Sequence, residues 1–160
     1  MRTLIKLGKV RALLLPIDAP TLIYDKVSKR GDEILATLVL YEFGWEVGSR
    51  VASSAFKKHF EPPEALEKVP ELVKWIGLEA EKEGEEVVIR DAPGFSYGCP
   101  FERGLVAGIM SGLCRAPWDA SARVEGTDCI IKPRVRGVSA EEVKDVGEGV
   151  RSRLQGEDIL

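Results

Sequence analysis

The spacing of apolar residues in the first part of the chain predicts a strand followed by a long helix. Lys9–Ile17 is a short apolar run typical of a buried strand, and Thr21–Val27 fits either a returning strand or a short helix. From Gly31 apolar and small residues recur every three or four positions, which predicts one helical stripe to about Phe60. The stripe comprises Ile34, Leu38, Tyr41, Trp45, Gly48, Ala52 and Ala55. Pro62 and Pro63 are expected to end this helix.

The middle of the chain predicts more helix, then a strand and a third helical segment. Glu64–Glu83 has helical spacing, and Pro70 inside it is expected in the first turn of a new helix, where its missing N–H costs nothing. Glu85–Arg90 is predicted to be a strand. Pro100–Leu113 is predicted to be a helix with one bare ridge of glycines four apart, at Gly104, Gly108 and Gly112. Because an interior glycine costs about 1 kcal/mol relative to alanine, the ridge indicates close approach of another backbone.

The last part predicts a hairpin and a closing helix. Trp118–Val124 and Cys129–Val135 are expected to pair across the turn between them, with a free strand edge at Pro133. A capping box at Ser139 begins a helix predicted over residues 139–154. Residues 1–160 then form one domain, and the order of elements predicts an α+β fold with an antiparallel sheet packed against helices.

Composition narrows the class of protein. The 160 residues are 44% apolar and 31% charged, and no apolar run approaches the ~20 residues that a transmembrane helix needs, so we expect a soluble, cytoplasmic protein without membrane insertion. The net charge of −3 gives no signal for nucleic-acid binding. The chain has no Asn and one Gln, which is typical of thermophile proteins, including those of archaea.

The signatures of common catalytic sites are missing from the sequence. It has no phosphate-binding loop, no dinucleotide-binding glycine motif after a strand and no nucleophile elbow. The single histidine, His59, lies among lysines at a predicted helix end, where a surface role is expected. We therefore predict a protein without catalysis of its own.

The cysteines leave three alternatives open. Cys99 directly precedes a predicted helix, whose positive end favours its thiolate. Cys99, Glu125 and Cys129 could bind zinc, although a structural zinc site takes four ligands. Alternatively, Cys99 and Cys129 form a disulfide, or all three cysteines, including Cys114, are buried thiols.

Aromatic residues suggest either a ligand pocket or plain core. Trp45, Phe101 and Trp118 are the candidates for lining a pocket that takes an apolar or aromatic ligand. Packing in the core is the simpler role for most of the aromatic side chains.

Three motifs in order resemble the 4-vinyl reductase domain family. Tyr41–Gly48, with the sequence YEFGWEVG, is similar to a helix of that family. Gly98–Gly112 is similar to its cysteine-led, glycine-ridged helix, and the hairpin with Val124, Glu125 and Cys129 follows where the family has a glutamate-and-cysteine hairpin. The resemblance spans about residues 9–136.

The resemblance implies a fold related to the TRAPP vesicle-tethering subunits and a homodimer formed through helices. The family includes chlorophyll-pathway proteins and the sensor domains of phenol-responsive transcription activators. In those sensors a zinc ion is held by a cysteine before the helix and by a glutamate and two cysteines on the hairpin. Cys99, Glu125 and Cys129 match three of these ligands, whereas the residues after Cys129 contain no further cysteine.

Together these observations predict a small-molecule-binding or sensory domain that takes a hydrophobic ligand. Two alternatives remain: a TRAPP-like dimeric scaffold that acts through its surface, and a reductase-pathway protein, as the family name suggests.

Overall fold

The computed structural model describes residues 4–7, 10–13 and 15–136. Its elements in chain order are β1 (Leu4–Leu7), β2 (Val10–Leu13), α1 (Ala19–Arg30), α2 (Glu33–Ala55), α3 (Pro62–Trp75), β3 (Glu79–Glu83), β4 (Glu86–Arg90), a short 3-10 helix (Phe95–Tyr97), α4 (Pro100–Cys114), β5 (Trp118–Glu125) and β6 (Asp128–Val135). The predicted closing helix over residues 139–154 lies outside the described residues. Within the described part, no helix has both the length and the apolar character needed to cross a membrane.

The main sheet has four antiparallel strands in the order β3-β4-β6-β5, which confirms the predicted α+β class. The pairs Val87↔Ile131 and Ile89↔Cys129 lie in register on one face, and all four side chains are fully buried. Helices α3 and α4 pack against the sheet, α2 packs on α4, and α1 packs on α2. The apolar core therefore lies between the sheet and α4.

Strand β6 has the free edge that Pro133 predicted. Its pairing with β4 covers only Cys129–Ile131, whereas its pairing with β5 continues to Val135. Proline lacks the N–H that a second neighbouring strand would need, so it is tolerated at this edge.

The glycines of α2 and α4 face each other across a close contact between two helix backbones. A Cβ atom added at Gly104 would meet the Tyr41 carbonyl oxygen, and one added at Gly108 would meet that of Trp45. Both contacts fall well inside the 3.0 Å that real Cβ atoms keep. The residue numbers of the contacting positions increase together along α2 and α4, so the two helices run parallel. The predicted close approach is therefore confirmed, and the second helix is α2.

The region predicted as one helical stretch over Glu64–Glu83 divides into a helix and a strand, so this prediction was wrong in two respects. Pro70 lies inside α3 rather than in the first turn of a new helix, because burial of the apolar face outweighs the ~3 kcal/mol cost of an interior proline. Glu79–Glu83 pairs with β4 as a strand. Its charged residues have helical propensity, but pairing in the sheet overrides that preference.

The N-terminal predictions need smaller corrections. The strand predicted over Lys9–Ile17 is observed as Val10–Leu13, and the side chain of Ile17 is exposed. Thr21–Val27, left open between strand and helix, lies within α1. The long helix α2 ends at Ala55, and the two prolines that were expected to end it occupy the first turn of α3 instead.

Substituting Gly108 by alanine is expected to lower the free energy of unfolding by about 3 kcal/mol, because the added methyl group overlaps the backbone of α2. Gly112→Ala should lower the free energy of unfolding by less. Its added Cβ would lie 2.8 Å from the nearest atoms, whereas that of Gly108 would lie 2.0 Å from the Trp45 carbonyl oxygen. Urea unfolding followed by circular dichroism measures both values.

Gly84→Asn provides a control for this series, because Gly84 has nothing within 4 Å of an added Cβ and asparagine tolerates its left-handed backbone. A loss in Gly84→Asn as large as that in Gly108→Ala would contradict the packing argument.

Candidate functional site

A buried cluster of two sulfurs and one carboxylate lies where α4 begins. Cys99 and Cys129 are joined by a disulfide, their Cα atoms are 6.3 Å apart, and 30 residues separate them in sequence. The two sulfurs and a carboxylate oxygen of Glu102 lie within 4.8 Å of one another. All three residues have no exposed surface. Of the alternatives left open for Cys99 and Cys129, the structure has the disulfide.

An unusual backbone conformation places Cys99 against the sheet. Gly98 has φ 88° and Cys99 has φ 56°, so two successive residues are left-handed before α4 starts. A non-glycine residue in this region costs about 1–2 kcal/mol and persists only where its surroundings fix it. Here the bond to Cys129, on the buried face of β6, fixes it.

Glu102 is the member of the cluster that sequence analysis missed. One carboxylate oxygen accepts a hydrogen bond from the Gly94 amide at 2.9 Å, while the other has no partner among the described residues. Burial raises the pKa of Glu102, although the Gly94 amide opposes the shift. Its sequence position was a usable signal, because a glutamate three residues after an N-cap residue points back toward it.

Glu125 lies on the opposite face of the hairpin from Cys129. Register pairs Val124 with Cys129 and Glu125 with Asp128, and side chains alternate along a strand. The Glu125 carboxylate is exposed and pairs with Arg123 at 3.3 Å. The structure therefore brings Cys99 and Cys129 together and leaves Glu125 apart from them.

The donor set can be compared with the zinc site that the resemblance implies. A structural zinc ion takes four ligands, with cysteine bound as thiolate. The described residues offer three donors around one point, Cys99, Glu102 and Cys129, and the two sulfurs are bonded to each other. This arrangement fits a disulfide rather than a four-ligand zinc centre.

Cys114, the third cysteine, is a free and buried thiol at the end of α4. Burial raises its pKa to about 11, so the thiol is neutral at physiological pH. A neutral buried thiol is a poor nucleophile and a poor metal ligand.

Two of the three aromatic residues predicted to line a pocket, Trp45 and Trp118, are in contact. Trp45 is half-buried, and its indole N–H donates to the Trp118 carbonyl at 3.2 Å. Phe101, in the first turn of α4, packs against Phe43, and the centroids of the two rings are 5.7 Å apart. Trp118 lines the first of two concave regions.

The first concave region, which we call the Trp118 groove, has a volume of about 370 Å³ and lies between α3, α4 and the edge of the sheet. Apolar side chains form most of its wall, and the Lys82–Glu67 ion pair, at 3.0 Å, lies at its rim. Its lining residues are Pro62, Pro63, Leu66, Glu67, Lys82, Gly84, Glu85, Met110, Trp118 and Pro133.

The second concave region, which we call the tyrosine cleft, has a volume of about 590 Å³ and lies where α1, α2 and the start of α4 meet. Tyr24 and Tyr97 stack in it with centroids 4.1 Å apart, and the Tyr97 hydroxyl lies 2.9 Å from that of Thr21. Its lining residues are Tyr24, Glu33, Ile34, Thr37, Leu38, Ser96, Tyr97 and Arg103.

Comparison with known proteins identifies the fold. No protein-family model and no curated protein matches the sequence. Among solved structures, the chain is similar to the phenol-responsive sensory domain of the transcription activator PoxR, solved with phenol, with a TM-score of 0.65. The match covers 87% of this chain and 84% of that domain at 15% sequence identity. At this identity the likeness shows a shared fold.

Reducing the disulfide is expected to lower the free energy of unfolding by about 3 kcal/mol, because the bond closes a long segment of chain in the unfolded state. Urea unfolding with and without dithiothreitol measures the change. The Cys99→Ala/Cys129→Ala double variant should show no response to the reductant. If the wild-type protein does not respond either, the bond is absent in solution.

Replacing Glu102 by glutamine is expected to change how stability depends on pH. Because the folded protein raises the pKa of Glu102, the native state binds its proton more tightly than the unfolded state. Glu102 therefore favours folding most at acid pH, and this contribution falls as pH rises through the ordinary carboxyl range toward the raised pKa. Each unit of elevation is worth about 1.4 kcal/mol.

Unfolding free energies measured between pH 4 and pH 8 check this sign. Glu102→Gln should gain stability relative to the wild-type protein as pH rises. Glu71→Gln, at an exposed position of α3, is the matched control. A difference between Glu102→Gln and the wild-type protein that stays constant with pH would contradict an elevated pKa.

Proposed function

We propose that this chain is a small-molecule-binding sensory domain and that the Trp118 groove takes a neutral apolar or aromatic ligand. The groove itself is the observation that carries the proposal. Its volume of about 370 Å³ lies within the range of roughly 300–1,000 Å³ of small-molecule sites, and its wall is mainly apolar. The fold shared with a phenol-responsive sensory domain supports a sensory role.

The composition of the groove favours an uncharged ligand. Met110 contributes a polarizable, almost fully buried floor, and Trp118 contributes a half-buried aromatic surface. Of the three charged residues in the lining, Lys82 and Glu67 pair with each other, and Glu85 lies 3.7 Å from Lys132. A ligand in the groove would gain mainly from burial of apolar surface, at about 25 cal/mol per Å².

A dimeric scaffold is a second candidate, and exposed apolar side chains on α2 favour it. Ile34 is 80% exposed and Leu38 is 54% exposed, although both belong to the apolar stripe of the helix. Leu35, Val39 and Phe43 extend the exposed patch. The occupant we assign to it is a second copy of this chain, since the 4-vinyl reductase resemblance implies dimers formed through helices. The mass of the native protein in solution tests this candidate, because a dimer has the mass of two chains and a monomer the mass of one.

Titration with 1-naphthol tests the ligand proposal. The protein has three tryptophans, whose indole N–H signals can be assigned by single Trp→Phe variants. We expect the Trp118 indole signal to shift with saturable dependence on 1-naphthol, because this side chain lines the groove. The signal of Trp75, at the end of α3, should stay in place.

Leu66→Glu should weaken 1-naphthol binding by roughly tenfold or more, because it places a charge in the apolar wall of the groove. Leu22→Glu is the matched control, since it makes the same change at an exposed position on α1. An unchanged Trp118 signal up to the solubility limit of the probe would exclude the groove as its binding site. Equal affinity of Leu66→Glu and Leu22→Glu for 1-naphthol would also exclude the groove as the binding site.

A further inference from the structure

We propose that the tyrosine cleft is a second ligand site, and that it binds a small aromatic monocarboxylate through Arg103 and the stacked tyrosines. This site is separate from the Trp118 groove and does not depend on the function assigned there. It shares Ile34 and Leu38 with the exposed patch of α2, so it is open where no second copy covers that patch. It centres on Arg103, which forms no ion pair with a carboxylate of the described residues.

Arg103 lies at the start of α4, where the partial positive charge of the helix end disfavours a cation. Its guanidinium lies over the Tyr41 ring, 4.6 Å from the centroid, and its Nε atom is buried without a hydrogen-bond partner. Among the described residues, no carboxylate lies within 4.0 Å of it. A half-buried cation in this position calls for an anion.

The acidic groups around Arg103 form no ion pair with it among the described residues. Glu102, the preceding residue, turns toward Gly94, whose amide donates to one of its carboxylate oxygens. Asp119 accepts hydrogen bonds from the Tyr41 hydroxyl and from the Ala120 amide through one oxygen, and the charge of Arg103 helps to lower its pKa at longer range. Arg103 therefore retains guanidinium hydrogens for a ligand in the cleft that it lines.

The rest of the cleft supplies a surface for an aromatic ring. The outer faces of a stacked tyrosine pair suit a further flat ring, and Tyr97 is held in place through the Thr21 hydroxyl. The Thr37 hydroxyl adds a hydrogen-bonding group to the lining. An aromatic ring with one polar substituent matches this arrangement.

Charge and shape select a monocarboxylate. The flat fork of a guanidinium pairs with a carboxylate through two parallel hydrogen bonds. Glu33 lies in the same lining, so a ligand with a second negative charge would be repelled. The cleft volume of about 590 Å³ leaves room for a single ring with substituents.

Calorimetric titration of the full chain with benzoate, benzamide and acetate tests the proposal. Benzoate should bind more tightly than neutral benzamide and more tightly than acetate, which has no ring. Arg103→Gln should weaken benzoate binding by roughly tenfold or more and weaken benzamide binding by much less, because only the carboxylate forms a charge-assisted pair. Arg123→Gln, on the exposed face of the sheet, is the control and should bind benzoate as the wild-type protein does.

A second pair of variants keeps the test valid if Arg103→Gln does not fold. Ser96 is exposed in the lining of the cleft, so Ser96→Glu and the nearly isosteric Ser96→Gln should both fold. Ser96→Glu should abolish benzoate binding by repulsion, and Ser96→Gln should retain it. The proposal is overturned if benzoate and benzamide bind equally, if acetate binds as tightly as benzoate, or if neither Arg103→Gln nor Ser96→Glu weakens benzoate. Absence of detectable benzoate binding to the wild-type protein would overturn it too.

Discussion

Backbone atoms of α2 and α4 meet without side chains between them, because glycines on each helix face carbonyl groups of the other. Interior glycines destabilise an isolated helix, so the contact between α2 and α4 must supply the stability that each helix loses. Dispersion at short range and Cα–H···O contacts provide that gain. With α2 packed on it and the sheet against it, 13 of the 15 residues of α4 are buried. The position of α4 then determines where the disulfide and both concave regions lie.

Helix α4 carries different chemistry at its two ends. At its start, Cys99 bonds to the sheet, Glu102 turns toward Gly94, and Arg103 lies over Tyr41. Successive side chains on a helix point about 100° apart, so neighbouring residues reach different surroundings. Met110 lies two turns further on, in the floor of the Trp118 groove. The two concave regions are thus about 10 Å apart along one rigid helix.

The periodicity of the sequence predicted the helices and strands that have strong repeats. It failed where pairing with a distant strand determines the secondary structure. The glycine ridge of α4 and the free edge at Pro133 follow from local rules, and both were predicted. Glu79–Glu83 could not be found in this way, because its charged residues favour helix until β4 pairs with them. Ile34 and Leu38 belong to an apolar stripe, yet spacing alone cannot tell whether a stripe meets the core.

The site shows the same division between local and long-range information. The predicted turn between β5 and β6 had four residues, whereas the observed strands continue to Glu125 and Asp128 and leave a two-residue turn. That extra pair places Glu125 on the face away from Cys129, which spacing along the chain could not reveal. Glu102 could have been predicted, because a glutamate three residues after the N-cap residue Cys99 is a local sequence signal.

The disulfide also shapes the electrostatics at the start of α4. Two thiolates at this position would bring negative charge close to the helix end, whereas the bonded sulfurs carry none. Burial disfavours ionisation of the neighbouring Glu102. The bond between Cys99 and Cys129 therefore keeps thiolate charge away from the start of α4, where Arg103 lines the tyrosine cleft. In this way the disulfide supports the anion preference that we propose for the cleft.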